Sequence, residues 1–164
     1  MSKLLLYIFL NIGLLNTIKS DMTYIIDNIY LGDSVAAENE TYLEENNITA
    51  VVNTAATVQS NYIKIRSIEL SIIDNNSNEK IFPKFEVGYK FVKEYNYTNI
   101  LVHCHEGKSR SASFVIFYLM KEKGWDYDAC IKYIKERKPD IRPYYIFVEQ
   151  LKEYYDKYIR NSFI

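Results

Sequence analysis

Residues 101–120, LVHCHEGKSRSASFVIFYLM, constrain this chain more than any other stretch. Apolar Ile100, Leu101 and Val102 read as a short buried strand, and Ser111 to Met120 as an apolar helix. Between them lie Cys104, five intervening residues and Arg110, with Gly107 at the middle. A loop of this kind wraps backbone N–H groups around an anion, and the positive end of the following helix adds to the attraction. A thiol has a pKa of about 8.5, and a helix N-terminus beside cationic groups can lower it to roughly 3.5 to 7.5, so Cys104 is expected to be a thiolate at neutral pH. Arg110 can close its planar fork over the same pocket and hold two oxygens of a phosphate. The Ser111 hydroxyl can donate to the sulfur and help it leave a covalent phosphocysteine. A buried, inert cysteine is the bland alternative, but it needs neither His103 before it nor Gly107 and Arg110 at their spacing. The His103 ring is expected to order the loop and help keep the thiolate. No metal is expected, because His103, Cys104 and His105 are adjacent and cannot all turn toward one ion.

HCHEGKSRS at His103 to Ser111 resembles the HCxxGxxRS signature of the cysteine-dependent dual-specificity protein phosphatases. The likeness extends to IYLGD at Ile29 to Asp33, ITAVVNTA at Ile48 to Ala55, FYLM at Phe117 to Met120 and RPYYIFVEQL at Arg142 to Leu151. The resemblance implies a metal- and cofactor-independent phosphatase acting on phosphotyrosine and on phosphoserine or phosphothreonine of protein substrates. In it His105, Glu106, Gly107, Lys108, Ser109 and Arg110 would bind the phosphate, and Asn53 would brace the loop by hydrogen bonding. The long tyrosine-recognition segment of the larger tyrosine phosphatases is missing, so a shallow pocket is implied. Two departures bear on substrate. Tyr144 stands where the family often has Asn, and Lys108 resembles the basic loop residue of inositol-lipid and phosphatidylglycerophosphate phosphatases. A phosphoinositide or lipid-phosphate phosphatase is therefore the alternative within enzymes. A phosphate-reading module without turnover is the alternative outside them.

At 164 residues the chain is long enough for one domain with a substantial core. Twenty Lys plus Arg against 21 Asp plus Glu leave a net charge of -1, and no basic face suggests a nucleic-acid partner. Two cysteines, Cys104 and Cys130, make no disulfide framework, and Cys130 reads as a small core residue. Within residues 1–20, Lys3 is followed by an apolar run from Leu4 to Leu15, interrupted only by Asn11 and Gly13, which has the length and charge order of a secretory signal. The other reading is a helix packed on the domain or on a second copy, giving a monomer or a dimer through that segment. A membrane contact is expected only through it. The nucleophilic thiol favours the reducing cytoplasm, with the secretory pathway as the alternative if the segment is cleaved. Residues 21–164 are then the catalytic domain.

From Thr23 the pattern is that of an α/β domain: a central mixed sheet of about five strands flanked by helices, with the phosphate loop between the last core strand and the central helix. Strands are expected at Tyr24–Ile26, Ile29–Leu31, Ile48–Asn53, Ile65–Ile73 and Ile100–Val102. Helices are expected at Val35–Asn46, Pro83–Tyr95 and Ser111–Lys123, then from Asp126 to about Arg137 and from Pro143 to about Arg160. The strand ending at Ile73 delivers Asp74 into a polar loop. Expulsion of an alkoxide or phenoxide needs a proton, and Asp74 is the candidate general acid, placed where the family keeps its own. Glu79 and Glu69 are the fallback acids, and Glu106 should point to solvent.

Overall fold

Five strands form one sheet in the order β1-β2-β5-β3-β4. They are β1 (Met22–Ile26), β2 (Ile29–Gly32), β3 (Ile48–Ala55), β4 (Arg66–Ile72) and β5 (Asn99–His103). The coordinates are those of a computed structural model and describe residues 21–58, 62–160 and 162. The apolar segment expected at residues 1–20 lies outside the described residues. Among the described residues no helix is long and apolar enough to cross a membrane.

β1 and β2 form a hairpin through Asp27, a non-glycine residue at φ 51°, and the remaining three pairings are parallel. The inner strands β3 and β5 are buried nearly throughout and read as apolar runs, whereas the edge strand β4 alternates exposed and buried residues toward its end. Ala50 and Val52 of β3 and Ile100 and Val102 of β5 join the larger core, whereas Ile48, Val51 and Leu101 face a smaller one with Ala37 and Leu43. The larger core is built on the central helix α4 (Arg110–Lys123), which is buried from Arg110 through Met120. Its Phe114 and Phe117 rings meet Phe85 at 5.4 Å each. Gly124 ends the helix in the left-handed region at φ 68°, and its N–H returns to Met120 O.

The helix expected over Val35–Asn46 is two helices, α1 (Ser34–Glu38) and α2 (Glu40–Glu45). Asn39 ends the first and caps the second, its side chain accepting from Tyr42 N–H at 3.0 Å. α3 (Ile81–Glu94) begins before Pro83, which sits in the first turn, where a missing N–H costs no helical bond. Ile81 N–H is instead taken by Gln150 Oε1 from the last helix. α5 (Tyr127–Lys135) is capped by Asp126, as expected, and Cys130 is buried in the core. The last helix is α6 (Tyr145–Tyr154), continued by a π-helical turn over Tyr155–Ile159 rather than by regular α-helix.

Candidate active site

The chain runs from β2 through α1 and α2 to β3, leaving β5 between β2 and β3. A crevice opens at the C-terminal ends of parallel strands where the connections diverge in this way. Cys104 follows β5 at that point, at the base of a cavity of about 390 Å³ also lined by Asp74, Arg110, Lys108, Arg142 and Tyr144.

The loop from Cys104 to Ser109 has its carbonyls tied outward. His105 O accepts from the N–H and hydroxyl of Ser34, Lys108 O from Arg142 N–H, and Ser109 O from the N–H and hydroxyl of Ser113. With those carbonyls turned away, the N–H groups of Gly107 and Ser111 are turned to the Cys104 sulfur. Gly107 sits at φ +70°, and a Cβ there would lie 2.7 Å from Gly32 O, so this point of the curl requires glycine.

Cys104 is 2% exposed. Burial pushes its thiol up, yet the net shift is downward. The Ser111 hydroxyl donates to the sulfur at 3.3 Å, and the Ser111 and Gly107 amides and the Arg110 charge add to it. Cys130, by contrast, is pushed up to about 12 by burial and then by Asp126, and it is a poor nucleophile. Among the described residues no group of three His, Cys, Asp or Glu side chains is gathered that could hold a metal ion.

Arg110 is nearly buried. Its Nη1 reaches Ile72 O at 3.4 Å, and its Nε lies 3.5 Å from Asp74 Oδ2. The other Asp74 oxygen accepts from Ser109 Oγ at 3.1 Å and from Asn75 N–H at 3.2 Å. Thus β4 and β5 bring the expected acid, clamp and thiol to one cavity, although 30 residues separate Asp74 from Cys104 in sequence. Of the fallback acids, Glu79 is 6% exposed, pairs with Lys84 at 2.6 Å and accepts from Ile73 N–H. It closes the loop that carries Asp74. Glu69 is exposed on β4 and does not line the cavity, while Glu106 is exposed at its rim and pairs with Lys108 at 3.4 Å.

His103 is buried, and desolvation lowers it from 6.5 to about 4, so its ring is neutral at physiological pH. Its Nδ1 lies 3.3 Å from Cys104 O, a bond that requires the proton on Nδ1 and orders the start of the loop. The expected brace from Asn53 to the loop is not made. Its amide nitrogen donates to Val58 O and its oxygen accepts from Ala55 N–H, shaping the exit of β3. The neighbouring Thr54 makes the link instead, donating to His103 O at 2.8 Å. Sequence reasoning passed over Thr54 because a buried strand threonine looks like any β-branched residue. Arg142 and Tyr145 also line the cavity unforeseen. Only their place beside Pro143, in a stretch already resembling the family, hinted at them.

A family model described as "Dual specificity phosphatase, catalytic domain" matches residues 29–157, more than half of the chain. "Tyrosine-protein phosphatase vhp-1" of Caenorhabditis elegans is 35% identical over 144 residues, covering 85% of this chain and 22% of that protein. "Dual specificity protein phosphatase 16" of Homo sapiens is 34% identical over 143 residues, covering 85% and 21%. The chain therefore spans about a fifth of the length of the curated relatives it matches. Among solved structures, the human tyrosine phosphatase-like serine/threonine/tyrosine-interacting protein superposes with a TM-score of 0.76 at 31% identity, covering 84% of this chain and 97% of that one.

Proposed function

Because the chain belongs to the dual specificity phosphatase family, we propose that it is a protein phosphatase that hydrolyses phosphotyrosine and phosphoserine or phosphothreonine through a phosphocysteine on Cys104. The observation that carries this reading is the sulfur of Cys104, buried within a ring of donors and sharing one cavity with Arg110 and Asp74. A sulfur so placed is ionised more readily than a free thiol and is aimed where a phosphate would sit.

In the first step the thiolate attacks phosphorus in line, and the bond to the leaving oxygen breaks as Asp74 gives that oxygen its proton. The N–H groups of the loop and the Arg110 guanidinium stabilise the equatorial oxygens. A phosphate on Arg110 takes the charge that now faces Asp74. In the second step water attacks the phosphocysteine, Asp74 accepts its proton, and Ser111 donates to the departing sulfur. His105, Glu106, Gly107, Lys108 and Ser109 frame the phosphate, with Ser109 tying the loop to Asp74. The lipid-phosphate reading leaned on Lys108. That charge is compensated by Glu106 at 3.4 Å and Asp140 at 3.7 Å, which supports a protein substrate over a polyanionic lipid. A nucleophilic thiolate also suits a reducing compartment such as the cytoplasm.

A panel of phosphopeptides and phosphoinositides tests the proposal. Phosphopeptides should be turned over and phosphoinositides left, while Cys104→Ser should bind phosphopeptides without hydrolysing them. Hydrolysis of the lipids alone would replace the reading with the lipid-phosphate one. Binding without turnover by the parent chain would replace it with a phosphate-reading module.

A further inference from the structure

One wall of the cavity is aromatic. Tyr144 and Tyr145 line it beside Asp74, with ring centroids 4.7 Å apart at 68°. Tyr144 is backed in turn by the buried Phe147 ring, edge to face at 5.4 Å and 83°. The N–H of Tyr144 donates to Ser109 Oγ at 3.1 Å, and the same hydroxyl donates to Asp74. One serine thus sets the register of the aromatic pair against the acid. Tyr145 leaves 58% of its surface exposed at this rim. The cavity is also lined by the Glu106–Lys108 ion pair.

We infer that Tyr145, held by Tyr144, is a specificity-determining residue that favours phosphotyrosyl over phosphoseryl and phosphothreonyl groups. The inference rests on the phosphatase reading and ranks the substrates within it. A phosphorus atom bound over Cys104 with its leaving oxygen at Asp74 places the leaving group beside the aromatic wall. A tyrosyl ring there meets an ordered aromatic partner, whereas a seryl or threonyl group offers no ring. Aromatic pairs of this kind are worth about 3- to 10-fold in affinity beyond area burial. The contact is made equally before and during reaction, so it belongs in KM rather than kcat.

The test compares kcat/KM for two peptides identical except for phosphotyrosine or phosphothreonine, using the parent, Tyr145→Ala, Tyr145→Phe and Cys104→Ser. The parent should prefer phosphotyrosine. Tyr145→Ala should lower the phosphotyrosine-to-phosphothreonine ratio about 3- to 10-fold, chiefly through KM for the phosphotyrosyl peptide, and Tyr145→Phe should keep the parent ratio. An unchanged ratio in Tyr145→Ala, with both peptides cleaved in a Cys104-dependent way, would overturn the inference alone. Failure of the parent to cleave either peptide, or undiminished cleavage by Cys104→Ser, would overturn the phosphatase reading and the inference with it.

Discussion

Asp74 is paired with the same guanidinium that a bound phosphate would claim, so the acid and the clamp are one coupled unit. If Asp74 protonates the leaving oxygen, Asp74→Asn should slow hydrolysis of a tyrosyl phosphate by roughly 10² to 10⁴ fold. An aryl phosphate whose leaving group is a weak base needs no proton and should lose far less, as steady-state rates on the two substrates would show. Equal losses on both would make Asp74 a structural turn residue. Glu79 would not inherit the role readily, because it is buried and spent on Lys84 and Ile73 N–H. At this scale the sequence was informative wherever a chemical demand left few candidates, as with Cys104, Arg110 and Asp74. It was silent where two neighbours could serve equally. Asn53 and Thr54 are adjacent polar residues at the end of one strand, and the direction of the side chain decides which reaches His103 O.

At the scale of elements, the phosphate loop keeps its curl because each outward carbonyl has a partner from a different segment: α1, α4 or the stretch before α6. Gly107 fits between these supports only without a side chain. Gly107→Ala should cost about 1 to 3 kcal/mol in backbone strain and push the loop off Gly32 O, with a lower Tm and most activity lost. A stable, active Gly107→Ala chain would mean that the loop does not need its present shape. β3, β5 and the central helix were legible as apolar runs bounded by polar or breaking residues, and β4 by its alternation of polar and apolar residues. The break at Asn39 was not, since Val35–Asn46 holds one helical pattern across a residue that is both stop and start. The start of α3 was equally hidden, because a side chain 69 positions away supplies its cap.

For the whole molecule, the strand order brings the ends of β4 and β5 to one crevice, and this assembly of distant residues is what the one-dimensional pattern could suggest only through resemblance. Burial also gives the fold an acid sensitivity. His103 titrates at about 4 in the folded chain against an ordinary 6.5, so the folded form resists protonation more than the unfolded one. Its neutral ring costs nothing above pH 6.5; as pH falls toward 4 the unfolded chain binds the proton and stability drops by roughly 3 kcal/mol. Urea midpoints measured across that range should fall more steeply for the parent than for His103→Gln, and parallel curves would deny the histidine this role. The central claim is the covalent step. Rapid acid quenching of the reacting chain with a phosphotyrosyl peptide, followed by mass spectrometry of the intact protein and its fragments, should find one phosphoryl group, on the fragment bearing Cys104 and absent from Cys104→Ser. Steady turnover with no phosphorylated Cys104 fragment, or a phosphoryl group retained by Cys104→Ser, would contradict it.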